Sequence, residues 1–121
     1  MIRRAALLVL LATPAVAHDL AAHDDLPYLA ADCAGYWQAV AERRPGDPMA
    51  ADLSAGFLAA ARELAPELAR DIDYIAQAAR TRASVMLKDA AQISAAARLL
   101  DEQEQFCQSV GLALPDKWGL H

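Results

Sequence analysis

Glu67 to Val110 reads ELARDIDYIAQAARTRASVMLKDAAQISAAARLLDEQEQFCQSV, without one glycine or proline. Apolar and small residues recur through it at helical spacing: Leu68, Ile72, Ile75, Ala79, Ala83, Met86, Ala90, Ile93, Ala97, Leu100 and Cys107. Glu104 is the one charged residue on that stripe. Taken as a single helix, residues 67–110 would extend ~66 Å at 1.5 Å per residue. A helix of that length would leave half its stripe uncovered by a chain of 121 residues. The segment is therefore expected to turn near Leu87–Ala91, with Lys88-Asp89 ending one helix and capping the next. The alternative is a three-helix protein with one long C-terminal helix.

Upstream, two shorter helices are written between breakers. Asp25 ahead of Pro27 marks a helix start with proline in the first turn. Leu29, Cys33, Tyr36 and Val40, widened by Trp37, form its apolar stripe. Arg43-Arg44 suit its carboxyl end, where the helix dipole favours cations. Pro45-Gly46 breaks the chain and Asp47-Pro48 restarts it. Met49, Leu53, Phe57, Ala60 and Leu64 form the second stripe, up to Pro66, whose ring clashes with a preceding helical turn. Gly111 with Leu112 resembles a helix stop. The expected fold is all-α, a small up-down-up-down four-helix bundle over residues 26–111, with a tail over 112–121.

In that topology the start of the first helix and the end of the fourth lie together. Cys33 and Cys107, the two cysteines of the chain, would then meet and brace the bundle with a disulfide. Neither lies in a Cys-x-x-Cys motif or beside a histidine, which argues against a redox or metal-binding pair.

The chain opens Met1-Ile2-Arg3-Arg4, then runs apolar from Ala5 to Leu11 and reaches Ala15-Val16-Ala17. A short positive start, an apolar run and a small-x-small site predict a signal peptide over 1–17, cleaved before His18. The run is shorter than the ~20 residues a spanning helix needs, so no membrane span is expected after cleavage. The expected location is periplasmic or secreted, an oxidising setting that favours the disulfide. Cleavage removes two arginines and deepens the formal charge from −5 to −7. Residues 18–25 are expected to be a flexible N-terminus.

An acidic chain without a basic patch excludes nucleic acid as a partner. The three histidines, His18, His23 and His121, lie at the ends of the chain. No nucleophile has a histidine close in sequence, so a catalytic dyad or triad is not expected. Covalent haem is excluded because Gln108-Ser109 follows Cys107. The absence of a Glu-x-x-His element excludes the usual di-iron bundle. Arg62, Arg70, Arg80, Arg82, Lys88 and Arg98 are interspersed with acids and read as a solvated surface with helical ion pairs, such as Glu67 with Arg70.

Two classes of function survive. The first is an exported, non-enzymatic accessory or interaction module with an unidentified protein partner. The second is a binding protein for a metal or small ligand. His18, His23 and Asp24 offer imidazole and carboxylate donors suited to Cu or Zn; no other cofactor is expected. Tyr36, Trp37 and Phe106 are candidate walls of an aromatic pocket. Trp118, in the tail, either folds back on the bundle or serves as an exposed anchor, a role in which tryptophan is enriched.

Overall fold

The computed structural model describes residues 24–121. The segment assigned to the signal peptide, together with His18 and His23, lies outside the described residues. Four helices follow in order: α1 Leu26–Arg43, α2 Pro48–Leu64, α3 Ala69–Ala90 and α4 Ser94–Ala113. Short 3-10 turns occupy Pro66–Leu68 and Asp116–Trp118.

The breaks follow local chemistry. α1 begins after Asp25, with Pro27 in its first turn. Pro45-Gly46 separates it from α2, where the Asp47 carboxylate accepts from the Met49 amide at 3.0 Å. That bond satisfies one of the amide hydrogens left free at a helix start. Pro66 opens the 3-10 turn that ends α2.

The long segment is two helices, but its break falls later than the sequence suggests. α3 continues through Lys88 and Asp89 to Ala90, and the turn is Ala91-Gln92-Ile93. The Asp89 carbonyl accepts from the Gln92 and Ile93 amides, at 3.0 and 2.8 Å. Asp89 thus contributes its backbone, and Ile93 precedes α4 with no side-chain cap. Alanine at 90 and 91 carries no stop signal, so the break is set by packing.

Cys33 and Cys107 form a disulfide, with Cα atoms 5.6 Å apart. Cys33 pairs with Cys107, and Tyr36 with Glu104, so α1 and α4 run in opposite directions. The Ser54 hydroxyl donates to the Ala34 carbonyl at 2.8 Å, tying α2 to α1.

α1 is the central helix. It packs most extensively on α3 and α2 and less on α4. Ala30, Ala31, Ala34, Gly35 and Ala39 are buried alongside Cys33, Tyr36, Trp37 and Val40, so α1 is covered nearly all round. Its alanines therefore serve as core positions. At Gly35 the α1 and α3 backbones meet: a Cβ there would collide with the Ala76 carbonyl oxygen and lie 2.7 Å from the Ala79 Cβ. Phe57, Ile72, Val110 and Leu114 are the largest fully buried apolar side chains. Burial of each stabilises the fold by roughly 1.5–3 kcal/mol.

The second stripe is only partly core. Phe57 and Ala60 are buried, whereas Met49 and Leu64 are 60% and 43% exposed. The ion pairs tie elements together: Arg62 to Asp73, Arg80 to Glu42, Arg82 to Asp32 and Lys117 to Glu63, at 2.6–2.8 Å. Exposed pairs of this kind contribute about 0–1 kcal/mol each. The expected pairing of Glu67 with Arg70 does not form.

The helix stop expected at Gly111 is also displaced. α4 passes through Gly111 to Ala113, so the tail starts at Leu114. Gly111 is buried because the tail crosses it: a Cβ would lie 2.7 Å from the Leu120 carbonyl oxygen. Gly56 of α2 has the same role, 2.8 Å from the Trp118 carbonyl oxygen. Two glycines inside helices thus seat the returning tail. Leu114 and Leu120 are buried, and the true positive-φ glycine is Gly119, at +70°.

Candidate functional site

α2 and α4 make almost no backbone contact with each other. Between them lies a groove of about 200 Å3. Trp37 of α1, Phe57 of α2 and Cys107 of α4 line it, and all three are buried in the core. Met49 and Leu53 come from α2, Glu104 and Gln108 from α4, and Leu120 from the tail. The spacing explains the assembly: Met49, Leu53 and Phe57 are successive fours on one helix face, and Glu104, Cys107, Gln108 and Gly111 share one face of α4. The tail sits on Gly56 and Gly111 at one end.

The Tyr36 and Trp37 rings meet edge to face, with centroids 5.1 Å apart, an arrangement favoured by the ring quadrupoles. The Tyr36 hydroxyl donates to Glu104 Oε1 at 3.2 Å. Burial, reinforced by the Glu104 carboxylate, holds the Tyr36 hydroxyl well above the ordinary tyrosine range. Tyr36 is therefore a neutral donor. Glu104 lies in the body of α4. The gap between α2 and α4 gives its half-buried carboxylate access to water.

The sequence candidates separate. Trp37 lines the groove, and Tyr36 sits beside it through Glu104. Phe106 does not join them: it is 39% exposed and lies ~200° around α4 from Glu104. Trp118 is half-buried in the tail, with the Lys117 ammonium 4.9 Å from its ring centroid; the tail folds back. His121 donates through Nε2 to the Leu114 carbonyl at 2.6 Å. Of the proposed metal donors only Asp24 is described, and it is exposed. Among the described residues no three His, Cys, Asp or Glu side chains are grouped as a metal site. No described helix is long and apolar enough to cross a membrane.

Met49, Leu53, Phe57, Gln108 and Leu120 were not legible as site residues. The first three read as core, and the tail's path cannot be inferred from spacing. Gly56 and Gly111, each placed inside a helix, were the available signal that a chain segment crosses there. Two other hollows are less suited to binding. A crevice of about 10 Å3 beside Asp32, Tyr36 and Arg82 has room for about one water. A depression of about 330 Å3 over Gln38, Ala41, Ala51 and Ala55 is lined by two helices and has no aromatic floor. Comparison with family models, with curated proteins and with solved structures returns no match.

Proposed function

We propose that this protein is an exported, non-enzymatic interaction module that takes an apolar anchor side chain of a protein partner into the groove between α2 and α4. The observation that carries this reading is the groove's size against its lining. Sites for small molecules usually enclose ~300–1,000 Å3; this one offers about 200 Å3, enough for one large side chain. Its floor is apolar and aromatic, and Glu104 and Gln108 make the α4 side of its rim polar, a pattern suited to a single anchor residue. Export is supported by the positive, apolar, small-residue opening of the chain and by the disulfide.

The test places a photo-crosslinking amino acid at Met49, on the rim, or at Tyr74, which is 75% exposed on α3, and irradiates the native host. A single adduct from position 49, absent from position 74 and mapping to a peptide with a large apolar side chain, supports the reading. Identical adducts at both positions, or none at 49, overturn it.

A further inference from the structure

We propose that Glu104 makes the groove selective for a cationic anchor, so that the partner segment presents a large apolar side chain next to a lysine or arginine. This rests on the groove being the binding site and adds the chemistry of its occupant.

Three observations converge. Glu104 is the one charged residue lining an otherwise apolar and amide-lined groove. Its Oε1 accepts from Tyr36, while no cation pairs with it; the ion pairs of the described residues use Glu42, Glu63, Asp32, Asp73 and Asp116 instead. Arg44 is close enough to act on Tyr36 but makes no contact with the Glu104 carboxylate. Asp101 lies three residues before Glu104 on the same helix, where i, i+3 side chains are neighbours.

An apolar group entering the groove strips water from Glu104. A neutral or anionic occupant leaves that carboxylate poorly solvated, which is costly. A cation carried beside the apolar group restores its partner and excludes water at once. The chain's net charge of −5 also speeds encounter with a basic segment.

The test compares three probes of one chain length, n-hexylammonium, 1-hexanol and hexanoate, with the full-length protein and its disulfide intact. Binding is followed by the amide resonances of Leu53, Phe57 and Gln108. At low salt hexylammonium should bind about fivefold more tightly than 1-hexanol, as expected for one partly exposed ion pair, and hexanoate least. Glu104→Gln should bring hexylammonium and 1-hexanol level, weakening the ammonium by loss of its ion pair and tightening the alcohol, which no longer strips water from a carboxylate. Should Glu104→Gln not fold, a salt titration of the unaltered protein decides: the preference should shrink as salt rises. Equal binding of the alcohol and the ammonium overturns the charge selection and leaves the groove standing. Binding of hexylammonium that shifts other residues and spares the groove also overturns it. If none of the three perturbs the groove, the binding site itself is wrong.

Discussion

Gly111→Ala sets two effects of known sign against each other. Alanine in place of glycine inside a helix stabilises by about 1 kcal/mol, because glycine loses more backbone freedom on folding. The new Cβ would lie 2.7 Å from the Leu120 carbonyl oxygen and 3.2 Å from the Leu120 Cβ. The nearer atom is backbone, so no rotation of a side chain relieves the clash and the tail must move. Leu120 is 8% exposed, and undocking it forfeits roughly 1.5–3 kcal/mol. The net expectation is destabilisation by about 0.5–2 kcal/mol, with the melting temperature falling by roughly 4–8 °C per kcal/mol for a domain of this size. Thermal unfolding followed by far-ultraviolet circular dichroism reads this directly. In a chain truncated after Ala113 the same substitution should stabilise by about 1 kcal/mol, since nothing crosses Gly111. Stabilisation in the full-length chain would refute the docked tail.

Replacing Cys33 and Cys107 together with serine opens a loop with a sequence separation of 74 and should cost up to about 4 kcal/mol by denaturant unfolding; an unchanged midpoint would show that the bridge does not brace the bundle. Gly35→Ala should separate α1 from α3 and cost about 2–3 kcal/mol, seen as lowered thermal stability with the disulfide retained; full stability would contradict the backbone contact there. The folded-state pKa of Tyr36 is raised, so its contribution to stability is complete below the unfolded tyrosine pKa of about 10 and is lost as pH rises above it. Phenolate absorbance should therefore show one of the three tyrosines ionising only as the protein unfolds in alkali, and Tyr36→Phe should remove that component; three tyrosines titrating together in the folded state would contradict it.

The fold was legible where breakers and periodicity agree. Pro45-Gly46, Asp47-Pro48 and Pro66 place the first two helices within a residue or two, because proline removes an amide donor and fixes φ. The cysteine pairing followed from topology. The α3–α4 turn was less legible: Ala90 and Ala91 favour helix, and the reversal depends on α4 packing back across α1. The depth of α1 was missed for a related reason. Alanine counts weakly in an apolar stripe, yet Ala30, Ala31, Ala34 and Ala39 are buried because small side chains let helices approach closely. The site was hardest to read. Trp37 was identified as a candidate, but Met49, Leu53 and Phe57 look like any core face until α4 fails to cover them. Phe106, one residue from Cys107, was assigned to the same side, although one residue turns a helix by ~100°.

A groove between α2 and α4 that receives an apolar side chain should also take up a small neutral alcohol. Intermolecular nuclear Overhauser contacts between 1-hexanol and protein carrying labelled Met49, Leu53, Leu120 and Tyr74 test it most directly. Contacts to Met49, Leu53 and Leu120, absent for Tyr74 and abolished by Leu53→Trp, are the predicted result. Saturating alcohol with no contact to those three, or contacts unaffected by Leu53→Trp, would contradict the account.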